Sequence, residues 1–300
     1  MTAIDDFDSI FADIRSGGNG RTLYMVLDAA IKDELPARLW QQDAPERVVP
    51  LIEHEGNHEL LAASPFLVSM GGAGPCHDYL INLAKHEPAG IFLVSHEPWQ
   101  RVVEEVRAWL WPEKQNGQPV YFRYYDPRVL SAVLQYHQKK GLLCPTGSFS
   151  QVFWHDPLRG KTFCVKAKSP GKRFALSSPW RFSAEFEEDL AAIQVLHRVT
   201  AALSEVVPAF YRPFLPGEIY ERVESFAAQA ESYGFFSFAD VLLFCHTAFI
   251  YPGFTEHDNI RTVFAALKGR RHNRSFQEVL NGLPAEWLNE CKPYRSDYHG

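Results

Sequence analysis

Short apolar runs rich in β-branched and aromatic residues punctuate the first half of the chain. LYMVLDAA (23–30) reads as a strand running into a helix. RVVPLI (47–52), PFLVSM (65–70) and GIFLVS (90–95) read as strands, and VYFRYYD (120–126) as the strongest strand of all. Between the last two, EPWQRVVEEVRAWLW (97–111) places Val102, Val106, Trp109 and Leu110 at helical spacing, with Arg and Glu between them. Strand, helix, strand is the pattern of a βαβ unit, which predicts parallel strands and a right-handed crossover. EKQNGQP (113–119) carries an Asn-Gly turn. Asp126-Pro127 offers a capping carboxylate and a Pro at the first position of the next helix, RVLSAVLQYH, and Asp28 is placed to cap AAIKDELPARL. The repeated alternation predicts an α/β fold, a mostly parallel or mixed sheet flanked by helices.

The pattern changes after 140. Residues 141–181 hold two β-like pieces, SQVFWH and KTFCVKA, joined by the turn HDPLRGK, and read as an added hairpin or sheet edge. From Ser183 onward it is helical: apolar residues recur at 190, 193, 196, 199, 203 and 206, and IYERVESFAAQAESYG ends at a Gly C-cap. SFAD (237–240) and SFQE (275–278) are capping-box patterns. The expected organisation is an N-terminal segment at 1–21, an α/β domain at 22–180 with a β-like extension at 141–181, and an all-helical lobe at 183–300.

Composition makes this an ordinary globular chain with one unusual term, since aromatics reach 14% against only 3 Met. The formal net charge of −6 argues against a dedicated nucleic-acid binder. All of that charge falls in residues 1–150; the second half balances, yet contains two basic runs. One comprises Arg159, Lys161, Lys166, Lys168, Lys172, Arg173 and Arg181; the other Lys268, Arg270, Arg271 and Arg274. Each reads as a solvated face or as a docking rim for an acidic partner. Five scattered cysteines without metal-knuckle spacing fit reduced thiols in a cytoplasm. The acidic N-terminus does not read as a signal peptide, and the longest apolar stretch (241–251) is too short for a membrane span.

Candidate chemistry is sparse. HEGNH (54–58) matches the H-E-x-x-H zinc-hydrolase pattern, with His54 and His58 as ligands and Glu55 as general base. Gly56 and Asn57 disfavour the helix which that chemistry needs, and no third ligand stands at a recognisable spacing, although His77, Asp78 and Glu87 lie nearby. SGGNGR (16–21) and GGAGP (71–75) match no phosphate-binding fingerprint, and no nucleophile elbow occurs. No cofactor is implied. A nucleotide- or peptide-binding site at the strand ends is a further reading. The most specific segment is the run Phe122, Arg123, Tyr124, Tyr125, Asp126, Pro127 and Arg128. A buried Arg123 would require a carboxylate or carbonyls, and Arg128 in a first helical turn would need its own acceptor. The run reads either as an Arg–Asp–Tyr network pinning strand to helix or as an aromatic-rimmed recognition surface.

LYMVLDAA, SPFLVSM, GIFLVS with its amphipathic helix, and NGQPVYFRYYDPRVL, in this order and at these intervals, resemble the bacterial type VI secretion adaptor proteins, also called type VI effector chaperones. The likeness covers roughly residues 22–150, with FRYYDPR its best-marked motif; the helical tail resembles the variable lobe of such proteins more weakly. The resemblance implies a non-catalytic protein of the donor cytoplasm. It would bind and stabilise one type VI effector, through that effector's N-terminal or PAAR-containing region. It would then help load the effector onto the VgrG spike or its PAAR-containing extension. It implies no nucleic-acid or membrane partner and carries over no catalytic residues. The expected contact surface is the cleft between lobes and parts of the helical lobe, with Lys166, Lys168, Lys172, Arg173, Arg270 and Arg271 as candidate rim residues.

Overall fold

The structure is a computed structural model that describes residues 2–4, 11, 20–41, 46–52, 55–72, 74–140, 147–167, 181–206, 208–211, 214–268 and 273–291. The chain forms two compact units, Met1–Ala191 and Ala192–Gly300.

The first unit is built on a seven-stranded sheet in the order β1-β8-β7-β5-β2-β4-β3. Its strands are β1 (Thr2–Ile4), β2 (Thr22–Asp28), β3 (Val48–Pro50), β4 (Pro65–Ser69), β5 (Gly90–Ser95), β7 (Gln151–Asp156) and β8 (Lys161–Lys166). A separate short pair joins β6 (Glu113–Lys114) to β9 (Arg181–Phe182) in parallel. The helices are α1 (Leu35–Arg38), α2 (His58–Ala63), α3 (Pro75–His86), α4 (Trp99–Ala108) and α5 (Pro127–Lys139).

The α/β lobe and the helical C-terminal region stand as expected, but strand direction does not. Every pairing in the main sheet is antiparallel. The expectation of parallel strands rested on long apolar runs, which report burial on both faces and not direction. In β2, Tyr24 and Val26 enter one core while Leu23, Met25 and Leu27 enter the other. The same split separates Ile91 and Leu93 from Phe92 and Val94 in β5. Helix α4 covers the first face with Val102, Val103 and Val106, and α5 adds Leu130, Val133 and Leu134. Helix α3 covers the other with Cys76, Leu80, Ile81, Leu83 and Ala84. Phe92 stacks on Phe153 at 5.1 Å, and Phe11 meets both rings edge-on. Such aromatic pairs are worth about 0.5–1.5 kcal/mol each beyond their buried area.

The second correction concerns 120–126, which is not a strand. Both places beside β5 are taken, by β2 and β7. Two helices, α4 and α5, separate β5 from β7, so the chain returns to the end where β5 stopped and pairs antiparallel. A crossover with one helix does exist: β4 and β5 both run antiparallel to the β2 between them, and α3 connects them. The free edge of β3 is blunted, because Pro50 has no N–H and its carbonyl accepts from Arg107 Nη2 at 3.1 Å.

In the second unit, α6 (Ala184–Val206), which begins in the first unit, is followed by α7 (Pro208–Tyr211), α8 (Pro216–Ser232), α9 (Phe238–Ile250), α10 (Asp258–Leu267), α11 (Phe276–Asn281) and α12 (Ala285–Glu290). Their core is aromatic, with Phe235, Phe244, Phe254, Phe264 and Phe276 mutually packed. The helix-end signals take physical form here. Ser275 and Glu278 make the reciprocal capping box, at 2.9 and 3.2 Å. Ser237 caps α9, but Asp240 sends one carboxylate oxygen to the Phe276 N–H at 2.7 Å, tying the starts of α9 and α11 together. Ser275→Ala should cost about 1 kcal/mol in urea unfolding, through the lost cap alone. An unchanged midpoint would show that the cap contributes nothing.

Candidate functional site

The 110–128 segment folds as a chain of turns fixed by its own backbone. Phe122 N–H donates to Leu110 O at 2.9 Å, Val120 N–H to Pro112 O at 2.8 Å, and Asp126 N–H to Arg123 O at 3.0 Å. The alternation that suggested a strand is instead anchoring. Phe122, Tyr124 and Tyr125 are buried, while Tyr121 and Arg123 are exposed. Adjacent buried Tyr124 and Tyr125 are incompatible with strand alternation. Tyr124 donates to Val106 O at 3.0 Å and meets Trp109 edge-on at 5.2 Å. Phe122 meets Phe182 at 4.9 Å, and Phe182 leads on to Phe186 at 4.7 Å.

On this platform sits a cluster of two carboxylates, two guanidiniums and two tyrosines. The carboxylate that Arg123 meets is Asp28, which caps the short turn Ala29–Ile31 through Ala30 N–H at 3.2 Å. Asp28 is 2% exposed while Arg123 is 46% exposed, so the acid lies behind and the guanidinium in front. Burial raises the Asp28 carboxyl above its usual range; the charge of Arg123 opposes that rise without cancelling it. Asp126 caps α5 and receives Arg128, with Nε and Nη2 at 2.9 and 2.6 Å and the backbone N–H at 2.9 Å. That fork answers the unfavourable position of Arg128 at a helix start. Tyr125 shares a 2.7 Å hydroxyl contact with Tyr121, and burial holds both phenols above their ordinary range.

Residues 23–142 match the family model described as a domain of unknown function, DUF4123. That family is associated with type VI secretion effector chaperones and adaptors. The match spans β2 through α5 and so contains Asp28 and the whole FRYYDPR run, but not Phe182 and Phe186 beneath it. No curated protein and no solved structure matches the chain.

The local geometry gives the zinc alternative no support. His54 lies outside the described residues. Glu55 has a left-handed φ of 42°, Gly56 continues the turn, and α2 begins only at His58, capped by Asn57. Asn57 Oδ1 accepts from Glu59 and Leu60 N–H at 3.0 and 3.1 Å, so the sequence that matched the zinc pattern is a turn followed by an N-cap. No group of three metal-ligating side chains occurs among the described residues.

Of the candidate rim residues, Lys166 is exposed at the end of β8. Lys168, Lys172, Arg173, Arg270 and Arg271 lie outside the described residues. Burial raises the thiols of Cys164, Cys245 and Cys291, Cys245 to about 12, which keeps them protonated and poorly nucleophilic. No helix among the described residues is long and apolar enough to cross a membrane.

Two features escaped the sequence reading. One is the pairing of Asp28 with Arg123 across 95 positions. The other is the exposed pair Trp111 and Tyr121, whose ring centroids stand 5.2 Å apart.

Proposed function

We propose that the chain is a non-catalytic chaperone and adaptor. It binds one type VI secretion effector in the donor cytoplasm, keeps it soluble, and helps load it onto a VgrG or PAAR spike. The DUF4123 match over 23–142 carries this reading. The architecture of the cluster supports it. Its acids are buried, its guanidiniums and the Tyr121 ring are exposed, and Tyr124 beneath it bonds the backbone of Val106. Such an arrangement suits recognition of a protein segment, with aromatic contact area and charges that set orientation.

Co-expression with candidate type VI effectors from the same genome tests the reading. The effector should remain soluble and be co-purified with the chain, and should precipitate or fail delivery when the chain is absent. An effector equally soluble and equally delivered without it ends the proposal.

A further inference from the structure

The cluster and the exposed aromatic pair form one continuous surface within the first unit. Trp111 packs on Tyr121, the Tyr121 hydroxyl meets that of Tyr125, and the Arg123 guanidinium lies 5.8 Å from the Tyr125 ring centroid. Arg128 is close enough to Arg123 for their charges to repel. One end of the surface is apolar, with Trp111 47% and Tyr121 37% exposed, and the other is cationic, with side-chain exposures of 46% for Arg123 and 38% for Arg128.

We propose that this surface docks an extended segment of the effector in which a carboxylate stands close in sequence to an aromatic residue. The assignment rests on the reading above and names the chemistry of the partner. Three observations carry it. First, a guanidinium has five N–H donors, and among the described residues Arg123 commits only its Nη2, to Asp28. The side chain is half exposed, so the remaining donors are open to a partner, and a guanidinium fork fits a carboxylate. Second, the two acids are buried behind the arginines, so an approaching chain meets the cations and never the anions. Both guanidiniums are also held in place before any partner arrives, which lowers the ordering cost of docking. Third, the stretch that carries the patch is basic, since residues 101–150 hold seven Lys or Arg against four Asp or Glu, which favours an acidic segment there. The neighbouring Trp and Tyr rings supply the rigid, amphipathic contact area on which such anchors depend.

The probes are the full-length effector that co-expression identifies and overlapping synthetic peptides that cover it. Trp111→Ala with Tyr121→Ser removes two exposed rings and the hydroxyl partner of Tyr125, so the melting temperature should fall modestly while the variant stays folded. Arg123→Lys with Arg128→Lys keeps both charges beside Asp28 and Asp126 while removing the forks. Each double variant should weaken capture at least about tenfold. The peptides bound by the wild type should carry an acid beside an aromatic residue, and should lose binding when that acid becomes Asn or Gln. If the wild type captures the effector and both folded variants capture it equally well, the docking site lies elsewhere while the chaperone reading stands. Bound peptides without a carboxylate overturn the assignment in the same way. If the wild type captures nothing, both readings fall together.

Discussion

Gly90→Ala is expected to destabilise the first unit by about 3 kcal/mol, at the upper end for overpacked core positions. Gly90 opens β5, opposite Leu27 of β2. A Cβ placed there would stand 2.2 Å from Val26 O and 3.1 Å from the Leu27 Cα. Both are backbone atoms of a central strand, so no side chain can swing aside. The two strands must part instead. The next hydrogen bond along is Asp28 N–H to Ala89 O, at 2.7 Å. Parting the strands therefore also displaces the carboxylate that holds Arg123. For a unit of this size, that destabilisation lowers the melting temperature by roughly 6–12 °C. Gly71→Ala is the control, because a Cβ there meets nothing within 4 Å. Calorimetry that found the two variants equal would mean that β5 can move away from β2 at little cost.

The position of Gly90 also shows what the sequence could reveal. A glycine at the head of GIFLVS is legible as a strand boundary; that its missing Cβ makes room for β2 is not, because β2 lies more than sixty positions away. The same limit explains the direction of the sheet. The runs at 23–28, 65–69 and 90–95 are strands because they are apolar, short and rich in Val, Ile, Leu and Phe. Their chemistry reports two buried faces and is silent on which neighbour each will choose. VYFRYYD misled for a related reason. Its alternating aromatics satisfy the strand pattern, yet β2 and β7 already fill the places beside β5, and Tyr124 and Tyr125 serve better as anchors under a turn. Helix ends fared better, since a cap is a contact between residues two or three apart and is written locally: Asp126, Ser237 and Ser275 all cap where the local pattern places them. In the candidate site, the local half (Asp126 with Arg128) was open to sequence reasoning, and the long-range half (Asp28 with Arg123) was recognisable only as a need for some acceptor.

That long-range pair gives the second large effect. Arg123→Ala should cost about 2 kcal/mol at about pH 7, less than the range for a fully buried pair because half of Arg123 is solvated. The cost comes from leaving Asp28 ionised and buried without its cation. It should therefore depend on pH in a definite direction. Asp28 is already raised by burial in the intact protein, and Arg123 is the largest influence holding it down. Without Arg123 the folded-state value climbs further, while the unfolded value stays ordinary. A carboxyl raised on folding imposes its full penalty above the folded value and none below the unfolded one. The deficit of Arg123→Ala should accordingly shrink as pH falls from about 7 towards 4, as Asp28 takes up its proton in the folded state. Asp156 is also raised by burial, but it is common to both proteins and cancels in the comparison. Asp28→Asn keeps an oxygen for the Ala30 N–H and carries no charge to bury. It should cost only about 1 kcal/mol near pH 7, and somewhat more as pH falls, because the raised Asp28 of the wild type is itself relieved of its burial penalty there. Urea unfolding of the three proteins across that range decides the matter. A pH-independent deficit for Arg123→Ala, or an Asp28→Asn variant weaker than it near neutral pH, would mean that Asp28 does not depend on Arg123 to remain ionised in the fold.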